Sequence, residues 1–214
     1  MSRTTWGRSF GVTLTIVLFG MLLLPGAASA SQGSGWTSAG GNLQNTRYQQ
    51  SEHKLGVDNV GDLTAKWVFN TVGDVSATPA VDGDTVYAPD WRGHLYAVDR
   101  ETGALKWDAS IPAASGVALD KARTTPAVTG DMVIVGTQGA ILAGGGPGGK
   151  VLAFDKFTGA LVWSTTLDPH FASIITQSPT VHAGRVYVGV ASQEEALAAF
   201  VPGYELSFRG SMQA

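Results

Sequence analysis

Tyr96–Trp107 reads YAVDRETGALKW, and Leu152–Trp163 reads LAFDKFTGALVW. Aligned, the two stretches share Ala-x-Asp-x-x-Thr-Gly-Ala-Leu-x-Trp, with Asp99 to Asp155 and Trp107 to Trp163 both 56 residues apart. Self-similarity at a fixed offset marks a repeat architecture, in which each unit needs neighbours to bury its faces. Each letter of the repeat has a physical reason. Tyr96–Val98 reads as the end of a strand. Asp99 opens a tight turn, because its short carboxylate can accept backbone N–H groups two or three residues on. Gly103 can take the positive φ that closes a hairpin. Ala104–Trp107 is the returning strand, and Trp107 supplies an apolar plate for one sheet to lay against the next. The unit is a hairpin ending in an aromatic wedge, and the fold class it predicts is all-β, assembled from blades as a β-propeller is.

The repeat extends upstream. Thr78-Pro79-Ala80-Val81-Asp82-Gly83-Asp84-Thr85-Val86-Tyr87 precedes the first hairpin, and Thr125-Pro126-Ala127-Val128-Thr129-Gly130-Asp131-Met132-Val133-Ile134 precedes the second. Ser178-Pro179-Thr180-Val181-His182-Ala183-Gly184-Arg185-Val186-Tyr187 is a third copy. Alternation bounded by Gly and Pro predicts strand–turn–strand in all three. Arg209-Gly210-Ser211-Met212 aligns with Arg92-Gly93-His94-Leu95, and Ala214 falls level with Ala97. The third copy therefore stops before its Asp–Thr–Gly–Trp hairpin, which predicts an N-terminal piece of a longer protein or a truncated one. The organisation expected is residues 1–30 as a leader, 31–70 as an N-terminal loop with a ring-closing strand, and 71–214 as an incomplete propeller.

Residues Met1–Ala30 have the shape of a secretory signal peptide: Arg3 and Arg8, an apolar run over Phe10–Leu24, and the small residues Ala28-Ser29-Ala30. That run is short for a membrane span, so no anchor is expected after cleavage, and the localisation expected is periplasmic or secreted. Losing Arg3 and Arg8 leaves 12 basic against 17 acidic residues, net −5. Such a charge argues against nucleic acid or an anionic membrane surface as partner. With no cysteine, the chain has no disulfide staple, no attachment site for a c-type haem and no lipidated N-terminal Cys. Gly 28 and a charged fraction of 14% suit a turn-rich β chain.

Trp36-Thr37-Ser38-Ala39-Gly40-Gly41-Asn42-Leu43-Gln44-Asn45-Thr46-Arg47-Tyr48 is a polar loop, Asp58 reads as an N-cap to a short helical turn, and Lys66–Asn70 reads as a strand able to close a ring. This loop, the Asp58-Asn59-Val60-Gly61…Leu63…Trp67 segment and the two Trp-ended hairpins together resemble the quinoprotein alcohol dehydrogenases, which depend on pyrroloquinoline quinone (PQQ). The stretch Glu194–Tyr204 most resembles the polyvinyl alcohol dehydrogenase branch. The resemblance covers Trp36 onward. It implies an eight-bladed propeller holding PQQ and calcium near its axis, an alcohol substrate, and a cytochrome c-type electron acceptor.

Residue by residue, the resemblance implies that Arg123 binds the oxygens of the quinone. A guanidinium suits that role because it offers several fixed donors to a planar anion; the alternative is a surface arginine at a blade edge. Thr176 matches a threonine that hydrogen-bonds a PQQ carboxylate; the alternative is an ordinary strand threonine. Ser192, Gln193 and Glu194 follow Gly189 at the spacing of a cofactor-contacting pair and a calcium-binding glutamate. Glu194 is a hard oxygen ligand of the right type, although Glu195 could serve instead and both could be solvated. Two departures change the expected pocket: Ser76 stands where the family has a glutamate, and Val117 and Ala118 stand near where it often has adjacent cysteines. No catalytic base can be assigned. Asp99 and Asp155 read as turn residues, and Gly144–Lys150 as a hairpin loop and not a phosphate cradle, since Val151 follows the lysine. His53, His94, His170 and His182 show no ligand spacing. The rival function is a non-enzymatic propeller of the same repeat, a scaffold for protein contacts in the cell envelope.

Overall fold

Three antiparallel sheets follow one another along the chain, each begun by a Pro-led strand. The computed structural model describes residues 35–141, 146 and 148–214. The expected leader and most of the glycine-rich loop lie outside them. The first sheet runs β1 (Ala80–Asp82), β2 (Thr85–Pro89), β3 (His94–Asp99) and β4 (Leu105–Ser110), each strand paired with the next. The second repeats this as β5 (Ala127–Thr129), β6 (Met132–Gly136), β7 (Lys150–Asp155) and β8 (Leu161–Thr166). The third contains β10 (Thr180–His182), β11 (Arg185–Ser192) and β12 (Ser211–Gln213), with the short β9 (Ser173–Ile174) also on β11. All three strand–turn–strand expectations are met, and β12 falls where the alignment with His94 places it. These are propeller blades: meanders whose central strands, Leu95–Val98 and Val151–Phe154, are buried on both faces.

The turn chemistry of the repeat is duplicated to within a tenth of an ångström. Asp99 Oδ1 accepts from the N–H of Glu101 (3.0 Å) and from the N–H and hydroxyl of Thr102 (both 2.8 Å). Asp155 Oδ1 accepts in the same way from Phe157 (3.0 Å) and Thr158 (both 2.8 Å). Both carboxyls are held below the usual range, chiefly by the threonine hydroxyl and N–H. A bulge follows each hairpin, between Ala97 and Val98 and between Ala153 and Phe154. It re-aims the return strand so that the tryptophan faces the neighbouring blade.

The tryptophans join the blades. Trp107 Nε1 donates to the Lys156 carbonyl (3.0 Å), one residue past the turn aspartate of the second hairpin. Its ring covers Gly159, φ +73°, where an added Cβ would stand 2.7 Å from the indole. Trp67 repeats the contact one blade earlier. Its Nε1 donates to the Arg100 carbonyl (2.8 Å), and its ring lies 2.8 Å from the place a Cβ would take on Gly103, φ +74°. Only glycine satisfies both the backbone and the plate. Around Trp107 the first apolar cluster brings Tyr87, Leu95 and Ala97 against Val133, Leu152 and Phe154. Lys156 also reaches back to Asp82 (3.1 Å). The second cluster, Ile134, Val151 and Ala153 with Ile175 and Val188, joins the second blade to the third.

Three local expectations change. Lys66–Asn70 is not a strand: Lys66 sits in a bend, the residues after it are irregular, and no described strand pairs with them; its Trp67 and Phe69 pack instead, Phe69 edge-on to Tyr96 at 5.3 Å. Asp58 caps nothing: the single 3₁₀ turn Val60–Asp62 is preceded by Asn59, whose side chain accepts from Gly56 and donates to Lys54. Two short helices, α1 (Ile111–Ser115) and α2 (Glu194–Phe200), interrupt the meanders. In α1, Ser110 Oγ accepts from Ala113 N–H and a proline occupies the first turn, a start signal legible in Ser110-Ile111-Pro112. Among the described residues no helix is long and apolar enough to cross a membrane.

Candidate functional site

The segments entering and leaving the blades meet at one rim. Lys121 bridges Gln138, with Gln138 N–H donating to the Lys121 carbonyl at 2.7 Å. Thr137 O accepts from Ile175 N–H (2.8 Å), and Gln193 Nε2 donates to Gly139 O (2.9 Å). Backbone bonds thus link the segment carrying Arg123, the residues just past β6 and the residue before Thr176, and the Gln193 side chain, just past β11, joins them. Of the residues singled out from the sequence, Arg123, Thr176, Ser192 and Gln193 all lie on these linked segments.

Arg123 is exposed, and its guanidinium carbon stands 5.7 Å from the centre of the Trp91 ring. Lys121, two residues earlier on the same extended segment, places its ammonium at 5.7 Å from that ring as well. Neither cation makes an ion pair among the described residues. Burial lowers the Lys121 ammonium, partly offset by the adjacent Asp120. Trp91 is held from its other end, its Nε1 donating to Ser76 Oγ at 2.8 Å. Ser76 therefore orients an aromatic plate where the family resemblance led to a carboxylate. Beneath lies Asp120, fully buried and pushed up by that burial against the pull of Ser115 and Thr137, with Oδ2 unpartnered. Two cations without ion pairs beside one aromatic ring can bind a planar polyanion by charge and ring contact together. Lys121 and Trp91 were not legible as site residues. The i, i+2 spacing of Lys121 and Arg123 on a strand puts them on one face, but nothing local ties them to Trp91.

Thr176 is exposed, between the buried Ile175 and Gln177, whose side chain accepts from Gly189 N–H at 2.7 Å. Ser192 Oγ accepts from Glu194 N–H, and Gln193 N–H donates to the Ala172 carbonyl. Glu194 differs from the expectation of a metal ligand. Its side chain is 2% exposed and its carboxylate is ringed by donors: Oε1 takes the Tyr204 hydroxyl (2.8 Å), the Ser207 hydroxyl (2.8 Å) and Ser207 N–H (3.1 Å). Oε2 takes Ser207 N–H (3.0 Å) and Phe208 N–H (2.8 Å), and His170 Nε2 lies 3.6 Å from Oε1. Burial alone would raise this carboxyl; Phe208 N–H and the Ser207 and Tyr204 hydroxyls reverse that and hold it at about 2. As folded here the Glu194 carboxylate spends its lone pairs on the chain's own donors and offers none to a calcium ion. Glu194 fastens the 201–208 loop to the start of α2, and His170, its ring tilted against Phe171 at 4.7 Å, is part of that clasp. Glu195 is exposed.

A chain of four-stranded blades joined tryptophan over glycine, with a cationic aromatic corner at one rim, defines a repeat propeller with a binding face. It belongs to the PQQ_2 repeat family, described as outer membrane protein assembly factor BamB, which it matches over residues 47–144 and 125–200. It is 27% identical over 179 residues to a polyvinylalcohol dehydrogenase of a Pseudomonas species, covering 84% of this chain and 27% of that protein. It is 28% identical to a quinoprotein alcohol dehydrogenase of Pseudomonas putida, covering 76% and 27%. Among solved structures a europium-containing methanol dehydrogenase superposes with a TM-score of 0.59 at 26% identity, covering 74% of this chain and 28% of that one. The chain thus spans about a quarter of the length of these relatives.

Proposed function

We propose that this chain contributes the first blades of an exported PQQ-dependent dehydrogenase that oxidises alcohols, polyvinyl alcohol among them, and passes electrons to a separate cytochrome. The observation that carries the reading is the corner in which Arg123 and Lys121, both unpaired, converge on Trp91. Its relatives are alcohol dehydrogenases by name. When bound, PQQ would supply the two-electron acceptor for the alcohol carbon. Arg123 and Lys121 would hold its anionic groups, Trp91 would lie against its ring, and Thr176 would offer a hydroxyl. No proton-transfer or cation-dependent step is placed on Glu194, because its carboxylate is committed to the 201–208 loop. A calcium requirement belongs to residues other than these. Export rests on the leader-like Met1–Ala30.

The test is a titration of the chain with PQQ, followed by quenching of tryptophan emission and by quinone absorbance. Saturable binding, lost in Arg123→Met and weakened in Trp91→Leu, is the expected result. An Arg123→Met titration that overlays a saturable wild-type one, or an absence of saturable binding both by this chain and by a version extended with further blades, overturns it. The family description favours a second reading, a propeller whose rim serves protein contacts in the envelope; on that reading PQQ has no effect at any concentration.

A further inference from the structure

The segment Asp120–Arg123 alternates. Asp120 and Ala122 are buried, at 0% and 1% exposure, while Lys121 and Arg123 turn to the other face, where both cations lie 5.7 Å from the centre of the Trp91 ring. Asp120 Oδ1 accepts the Lys121 N–H at 3.0 Å, which fixes the backbone from which the lysine projects. Toward PQQ, Lys121 would act only as a charge, yet its surroundings suit a second chemistry. Lys66, Lys106 and Lys156 each hold a carboxylate, and Lys54 is solvated. Lys121 is half-buried, and its ammonium has no ion pair among the described residues. An aromatic plate and a permanently charged guanidinium stand beside it instead. Burial lowers this ammonium, and Asp120 offsets only part of that. A desolvated amine next to another cation gives up its proton more easily, and the uncharged amine is a nucleophile toward a carbonyl carbon.

We infer that Lys121 is a carbonyl-capturing amine, which forms an imine with a planar anionic carbonyl compound held beside Trp91 with its anionic group on Arg123. The amine lone pair attacks the carbonyl carbon, and a C–N bond forms. One N–H proton passes to the carbonyl oxygen and gives a carbinolamine. Its hydroxyl leaves as water with the second N–H proton, and the C=N bond closes; nothing is oxidised or reduced. Arg123 cannot take the same part, because its guanidinium stays charged, so the two cations divide the work: the arginine holds the anion and the lysine makes the bond. Lys121 shares its corner with the proposed quinone, but this chemistry needs only a planar anionic carbonyl compound and stands whether or not PQQ binds there.

The experiment uses the chain with pyridoxal 5′-phosphate, a planar aromatic aldehyde that carries a phosphate. Borohydride traps any imine by delivering hydride to its carbon, and peptide mapping by mass spectrometry locates the labelled lysines. At limiting aldehyde the label should concentrate on Lys121 over Lys54, Lys66, Lys106, Lys150 and Lys156. Lys150 is the matched comparison, since it is half-buried and without an ion pair but has no aromatic ring beside its ammonium among the described residues. Arg123→Met removes the phosphate's partner and should cut labelling of Lys121 about tenfold or more, with Lys54 unaffected. In urea the preference should vanish. A label spread evenly over the lysines of the folded chain, or one that favours Lys54 or Lys150, overturns the proposal. So does a Lys121 label that is unaltered in Arg123→Met, or a preference that persists in urea. A chain that captures the aldehyde at Lys121 but fails the PQQ titration loses the quinone reading and keeps this one; a chain that binds PQQ but labels evenly does the reverse.

Discussion

At the scale of single residues, two constraints meet at Gly159: a backbone φ of +73° and an indole face 2.7 Å from where a Cβ would stand. The left-handed backbone costs a non-glycine residue roughly 1–2 kcal/mol, and forcing atoms into a packed site about 1–3. Gly159→Val is therefore expected to lower stability by roughly 2–5 kcal/mol in a urea titration. Gly130, φ +54° with open space around it, feels only the first term, and Gly130→Ala should cost about 1 kcal/mol. Equal costs would mean that the tryptophan contact adds nothing. Glu194 makes a second case. Its folded carboxyl sits at about 2, while an unfolded glutamate titrates near ~4.3. The clasp on the 201–208 loop is thus complete above the unfolded value and is lost as pH falls towards the folded one. Limited proteolysis between pH 6 and pH 3 should show that loop becoming susceptible as acid is added, with Glu194→Gln susceptible already at pH 6. The turn aspartates were legible from the sequence because the hydrogen-bond donors to the Asp99 and Asp155 carboxylates lie within three residues. The partners of Glu194 lie 10 to 14 residues away across an irregular loop. No local pattern announces them, so a carboxylate with a familiar spacing read as a metal ligand.

At the scale of elements, strands and hairpins followed from period-two alternation and turn residues, and the structure returns them nearly at the expected bounds. The helix α2 did not. Glu194-Glu195-Ala196-Leu197-Ala198-Ala199-Phe200 is composed mainly of strong helix formers with acids in the first turn, but it sits in a β context where a short insert breaks no periodicity. Lys66–Asn70 failed in the opposite direction: its composition suits a strand, and a strand exists only beside a partner. The corner of Trp91, Lys121 and Arg123 was half legible, since Arg123 carried a family resemblance while Trp91 arrives from a different blade. The same dependence on neighbours separates the two repeat tryptophans. Trp107 has its glycine, its carbonyl and a surrounding apolar cluster, so Trp107→Ala should cost roughly 3–5 kcal/mol. Trp163 is half-buried against an open cavity, and Trp163→Ala should cost about 1 kcal/mol or less in the isolated chain. Chemical denaturation of the two variants checks this. Similar losses would show that the wedge acts inside its own blade and not across to the next.

At the scale of the whole molecule, stability in a blade array is a sum of intrinsic terms and nearest-neighbour interfaces. The middle blade owns two interfaces, one through Val133, Leu152 and Phe154 and one through Ile134, Val151 and Ala153. Among the described residues the third blade owns one, through Ile175 and Val188. Local opening should therefore begin at the third blade and reach the middle one last. Hydrogen exchange followed by mass spectrometry tests this order. Amides of β6 and β7 should exchange slowest and those of β11 and β12 fastest, with the first blade between, because Trp67 covers its hairpin while its remaining outer face lacks a full sheet. If all three blades exchange together, the array opens as one cooperative unit and interface terms do not set the order. If the third blade is slowest, the number of interfaces a blade owns does not set the order.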